Sequence, residues 1–232
     1  MLIAEDLLLL LLDDTSGRFL IDGTALDLGL AGAMLLELAE RERLTVAGER
    51  EEVKAGRLKV VSSAPTGDAA LDEALRRCAD TTGKKPEAVL SAVGKGLRVQ
   101  LLERLAAAGI LRAEQGKMLG VFPTTRWPAV DMTHELAQRE LLRSVLCQGI
   151  SPDPRTAALA ALLSAVDAPH KVLAAAGDQV DKKAVRRRAK EIRERAWAAD
   201  AVGKAIDAVQ AAVMAGVTAS IVAASVAGGS GG

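Results

Sequence analysis

Residues Ser62 to Leu75, SSAPTGDAALDEAL, join a Pro- and Gly-bearing turn to an acidic helix start. Pro65 fixes the turn, Thr66 or Asp68 is placed to cap the helix, and Asp68, Asp72 and Glu73 suit the positive end of its dipole. A phosphate-gripping loop is the competing reading. It would need clustered glycines and a lysine, as in G-x-x-x-x-G-K-[ST]. One glycine and three acids do the opposite, so the stretch reads as a structural corner.

Around this corner lies a chain of 232 residues, half of them hydrophobic, with 30 basic and 30 acidic side chains. The length suits one globular domain with a sizeable core. A net charge of zero argues against a nucleic-acid partner held by overall positive charge. With no Tyr, two Phe and two Trp, the core must be aliphatic and Ala-rich, which favours helices over sheets. The Ala and Arg content fits a GC-rich, bacterial coding genome. Cys78 and Cys147 form no C-x-x-C pair and read as buried apolar residues of a reducing compartment. His134 and His170 have no metal spacing, and no cofactor is expected.

The order of elements follows from periodicity and punctuation. Leu7 to Leu12 is a leucine run flanked by acids, unlike a signal peptide, and reads as a buried helix. Asp13 to Gly17 is a turn, and Leu28 to Arg43 is amphipathic. Leu44–Val46 and Leu58–Val61 are short extended candidates. From Pro86 to Ala108 one helix is expected, with Val89, Val93, Leu97, Leu101 and Leu105 in a stripe and Gly109 as its C-terminal cap. Ile110–Ala113 and Met118–Phe122 flank Glu114–Lys117 as a β-hairpin. Helices follow at Thr133–Leu146, Arg155–Val166 and Pro169–Ala176, and a basic stretch runs from Lys182 to Arg195. The apolar segment from Ala208 to Ala227 carries Val209, Val213, Val217 and Ile221 on one ridge, as a helix buried in a bundle does. Gly228 to Gly232 reads as a flexible tail, leaving residues 1–227 as a single domain.

At this level the ordered pieces become specific. LIAEDLLLLLLDD, GLAGAMLLELAERERL, SSAPTGDAALDEAL, VQLLERLAAAGIL and the hairpin running into FPTTRWP together resemble the Golgi phosphoprotein 3 family of peripheral membrane proteins. The resemblance covers most of the chain to about residue 165 and is looser beyond. It implies a mainly α fold: a helical bundle with surrounding amphipathic helices and a projecting β-hairpin. Eukaryotic members bind the phosphatidylinositol 4-phosphate headgroup on Golgi membranes and recognise cytosolic tails of glycosyltransferases, and some form oligomers. The family's lipid pocket places two basic residues at Lys95 and Arg98 here. Its earlier Arg falls on Ala31 and its Trp at or near Asp22, so half of that pocket is absent and specificity for the 4-phosphate does not carry over.

Lys95 and Arg98, three apart, share one side of the expected helix. They suit either phosphate ligation or a solvated basic face, with Gly94 and Gly96 leaving room for close approach. Met118, Leu119, Val121 and Phe122 form an apolar hairpin tip that meets a bilayer or another subunit, or else covers the bundle. The eight cations between Lys182 and Arg195 encircle their helix and read as a solvated, salt-bridged surface. Trp127 and Trp197 read as packing residues. No nucleophile elbow, Cys/His pair or metal cluster points to an enzyme. The expected function is therefore a cytoplasmic, peripheral membrane protein that binds anionic phospholipid headgroups. The alternative is an adaptor for the tails of membrane enzymes; a homo-oligomer fits either.

Overall fold

Burial of a charged helix start organises the fold. The structure is a computed structural model that describes residues 1–14, 16–49, 51–118, 122–195, 209 and 211–219, the side chains of 116–118, 122–124 and 195 excepted. Helix α1 (Ile3–Leu10) is buried at every residue, Glu5 and Asp6 included. Leu7 to Leu12 are at most 1% exposed, the burial expected of the leucine run, but the helix ends at Leu10 and Leu12 is bridged to Phe19. Buried carboxylates are costly unless paired, and both are. Glu5 accepts from the Leu2 N–H at 2.7 Å and pairs with Arg104 at 2.8 Å. Asp6 pairs with His134 Nε2 at 2.8 Å and with Arg155 at 2.7 Å. Adjacent helix positions point about 100° apart, so the two acids reach cations on different sides of α1.

Against α1 packs the long helix α2 (Gly23–Glu40), started by Asp22, whose carboxylate accepts from the Thr24 and Ala25 N–H groups. Glu37 of α2 accepts from the Ile3 N–H at 2.8 Å and so satisfies another free donor at the start of α1. Strands β1 (Leu44–Val46) and β2 (Leu58–Val60) pair antiparallel, Leu44 opposite Val60. The corner then leads into α3 (Ala69–Asp80). Thr66 gives its N–H and hydroxyl to Asp72 at 2.6 and 2.7 Å, which leaves the cap to Asp68. Asp68 also receives Arg104 in a two-pronged pair at 2.8 and 2.6 Å, and this guanidinium holds its carboxyl below the usual range. Arg104 thus ties α1 to the corner.

The expected helix from Pro86 to Ala108 is two helices, α4 (Pro86–Gly94) and α5 (Leu97–Ala107), broken at Lys95–Gly96. Gly96 adopts φ +75°, which turns the chain between them. The stripe Val89, Val93, Leu97, Leu101, Leu105 is buried throughout, because the bend keeps both halves on the core. The hairpin is also shifted. Strands β3 (Glu114–Met118) and β4 (Phe122–Arg126) pair with Met118 opposite Phe122, so the expected turn Glu114–Lys117 is strand. Ile110–Ala113 is not a strand: Leu111 is a buried core anchor bridged to Ala129, and pairing begins only beyond it.

Among the described residues the remaining helices are α6 (Thr133–Cys147), α7 (Pro154–Ala165), α8 (Pro169–Ala175), α9 (Lys182–Arg195) and α10 (residues 211–219). Cys78 is buried, but Cys147 is exposed, since it ends α6 beyond the buried Leu142, Val145 and Leu146. The basic run does not encircle its helix, because Val185, Ala189 and Ile192 bury one face of α9. On the C-terminal ridge Val209, Val213 and Val217 are buried. A Cβ on Gly32 would come within 2.7 Å of Val213 Cγ2, and one on Gly216 within 2.8 Å of Leu28 Cδ1, so α2 and α10 meet through glycines. Among the described residues no single helix is long and apolar enough to cross a membrane. Leu119, Val121, Trp197, Ile221 and the tail 228–232 lie outside the described residues. The fold is mainly α with two small antiparallel strand pairs, as expected.

Arg104→Ala leaves the buried Glu5 carboxylate without its cation and should lower the unfolding free energy by about 2–3 kcal/mol. The double variant Glu5→Gln/Arg104→Met should recover part of that loss. Urea denaturation of the three proteins measures both; a loss below about 0.5 kcal/mol for Arg104→Ala, the level of an ordinary surface change, would remove Arg104 from this role.

Candidate functional site

The break between α4 and α5 exposes the backbone carbonyls that end α4, and Arg77 of α3 takes them up. Its Nη1 donates to Ala92 O at 3.2 Å, Val93 O at 3.1 Å and Lys95 O at 2.6 Å, while its Nε pairs with Glu73 at 2.8 Å. A cation is favourable at a helix C-terminus. The helix that begins at the corner therefore fixes the position of Lys95.

Lys95 is exposed at this break and lines a cleft of about 420 Å³ with Thr24, Asp27 and Leu28 of α2, Gly94 and Gly96. Arg98, on the first turn of α5, is half-buried and does not itself line the cleft, but it reaches the lining residue Asp27. Its Nε lies 3.2 Å from Asp27 Oδ1 and its Nη2 3.4 Å from Asp27 Oδ2. The guanidinium also sits 5.9 Å from the Phe19 ring centroid, within cation–π range. It passes so close to α2 that a Cβ on Gly23 would stand 2.9 Å from Nη1. Burial raises the Asp27 carboxyl above its ordinary pKa, and the Arg98 charge opposes that rise.

The two sequence-predicted residues are thus near one cleft, but not on one side of one helix: Lys95 caps α4 and Arg98 belongs to α5. The two positions at which the resemblance implies a departure, Asp22 and Ala31, have structural occupations. Asp22 caps α2. Ala31 is fully buried, and a Cβ on Gly94 would meet its Cβ at 3.5 Å, so α4 packs directly on α2 there. Sequence reasoning missed Asp27, Phe19 and Arg77. Asp27 carried a signal, being the single charged residue in the apolar stretch Ala25 to Leu36. For Phe19 and Arg77 nothing in the spacing foretold the contact. Of the hairpin residues, Met118 and Phe122 face each other in register as the last described pair before the tip.

Replacing Arg77 by Ala frees three carbonyls at the α4–α5 break. It should cost about 1–2 kcal/mol and speed amide exchange in α5 from Val99 to Leu102, with α7 protected as before. Unchanged exchange in α5 would mean that Gly96 alone fixes the break.

The matched sequence extends well past this cleft. The model of the family described as Golgi phosphoprotein 3 (GPP34) matches residues 3–209, from the buried helix α1 through the corner, both cleft helices and α9 to Val209 at the base of the C-terminal ridge. With a match of that extent, the chain belongs to the Golgi phosphoprotein 3 family.

Proposed function

We propose that this chain is a peripheral membrane protein, not an enzyme, that binds anionic phospholipid headgroups of the phosphoinositide type at the α2/α4–α5 cleft. Membership of a family of peripheral and adaptor proteins supports the general role. The observation that supports the finer reading is that Lys95 lines an open cleft whose Asp27 carboxylate, also in the lining, holds Arg98 from the far side of the Gly96 break. A volume of about 420 Å³ lies in the range of small-ligand pockets. Lys95 has no carboxylate partner among the described residues and supplies a free ammonium, while Arg98 supplies a planar fork suited to phosphate. In this reading the protein sits on the cytoplasmic face of a membrane, and the Met118–Phe122 hairpin tip touches the bilayer or a second subunit.

Asp27 limits the site, because it already occupies Arg98. A phosphate must displace that carboxylate or find it protonated. Since burial raises the Asp27 pKa, acidification neutralises it ahead of an ordinary aspartate, and anion binding strengthens as pH falls from neutral toward the carboxylate range. The same carboxylate supports a second reading, in which the cleft receives a basic segment from the tail of a membrane enzyme and the protein is an adaptor.

Liposome co-sedimentation separates the two. Lys95→Ala/Arg98→Ala should weaken binding to phosphatidylinositol 4-phosphate vesicles about thirtyfold, at about 1 kcal/mol for each cation near an anionic surface. Asp27→Asn should strengthen it. With phosphatidylinositol vesicles, whose phosphodiester keeps its charge, wild-type binding should rise on mild acidification and Asp27→Asn binding should stay flat. If Asp27→Asn instead abolishes binding to a basic peptide and leaves vesicle binding unmoved, the adaptor reading replaces the lipid one.

A further inference from the structure

Arg186, Lys190 and Arg193 stand at i, i+4 and i+7 on α9, one row of the helix beside the buried stripe Val185, Ala189, Ile192. This row is turned toward other elements. Arg186 pairs with Asp167, in the bend between α7 and α8. Arg193 Nη1 lies 3.4 Å from the Ser164 hydroxyl of α7 and 2.9 Å from Met214 Sδ of α10. With Lys190 these residues line a cleft of about 310 Å³. It shares no residue with the Lys95 cleft.

Donors in this cleft outnumber acceptors. Asp167 is the one carboxylate among the described lining residues, and its side chain is 61% exposed. Lys190 meets Glu194 only at 3.7 Å on the open rim, where both are more than half exposed. Arg193 has no carboxylate among the described residues; it rests on a hydroxyl and a thioether, the latter a weak acceptor. The Arg186 Nε–H is buried and has no acceptor among the described residues. A buried donor left unmade is costly, and an oxyanion is the group that accepts several such donors at once. The neighbourhood is electropositive as well. Burial first, then Arg186 and Lys182, hold the His170 imidazole below its ordinary pKa, with Asp167 opposing and Lys171 adding.

We infer that the α7–α9 cleft is a second anion site, which takes a phosphate group on Arg186, Lys190 and Arg193 with the Ser164 hydroxyl as a further donor. Asp167 is the carboxylate the phosphate displaces from Arg186, as Asp27 is for Arg98 in the other cleft. This assignment does not depend on the Lys95 cleft. The phosphate is that of a lipid headgroup or a free phosphate ion.

Two measurements on the full chain test the site and separate the sources. In the first, inorganic phosphate is titrated against chloride at matched ionic strength while the arginine side-chain Nε–H resonances are followed by NMR. The Arg186 and Arg193 signals should move and saturate with phosphate and not with chloride. In the second, flotation compares phosphatidic acid with phosphatidylcholine vesicles. Arg186→Gln/Arg193→Gln should lose about tenfold or more of the phosphatidic acid binding, two charge-assisted contacts being removed. Arg186→Lys/Arg193→Lys keeps the charge and should lose less, and unchanged melting temperatures show that both variants fold. Saturable NMR shifts with variant-insensitive flotation assign the site to free phosphate, and variant-sensitive flotation assigns it to a headgroup. No saturable shift at Arg186, together with flotation that the Gln variant leaves unchanged, overturns the site.

Discussion

Two carboxylates buried side by side at the start of α1 constrain most of what surrounds them. Glu5 and Asp6 are held in the core only because partners arrive from different directions: the Arg104 guanidinium from α5 on one side, the His134 ring of α6 and the Arg155 guanidinium of α7 on the other. A buried acid without its partner would be strongly destabilising. The pairs therefore fix how three later helices stand around the first one. Arg104 extends this constraint to the corner by binding Asp68, which starts α3, and α3 carries Arg77 to the end of α4. The corner that marks the family is thus mechanically continuous with the cleft.

That continuity bears on positions 22 and 31, where the sequence departs from the pocket its resemblance implies. With Ala at position 31, α4 closes on α2 at Gly94, and with Asp at position 22 the first turn of α2 is capped by a side chain. Arg98 is left with an internal partner in Asp27 and an aromatic face in Phe19. In the proposed reading the consequence is competition: an anionic ligand gains Arg98 only to the extent that Asp27 gives it up. Such a site gives weaker, more pH-dependent binding than an unopposed arginine would. The α9 cleft repeats the arrangement with Asp167 on Arg186.

Much of this was legible in the sequence where periodicity and local chemistry agree. The leucine run, the corner, the buried stripe from Val89 to Leu105 and the valine ridge of α10 all follow from spacing and capping, and the family resemblance is carried by the same stretches. The break at Gly96 was missed because the apolar stripe runs unbroken through it. A four-residue repeat does not distinguish one helix from two that bend while keeping the same face inward. The hairpin slipped because Leu111 reads as strand by composition, whereas its burial makes it an anchor. The cleft itself depends on contacts such as Asp27 with Arg98, 71 residues apart, which no local pattern encodes.

In the proposed reading Arg98 passes from Asp27 to a ligand phosphate. The most direct measurement is a crystal structure of the chain with a soluble, short-chain phosphatidylinositol 4-phosphate. A phosphate within hydrogen-bonding distance of both Lys95 Nζ and the Arg98 guanidinium, with the Asp27 pair opened, is the predicted result. An intact Asp27–Arg98 pair with the headgroup bound elsewhere, or absent at saturating concentration, would contradict it.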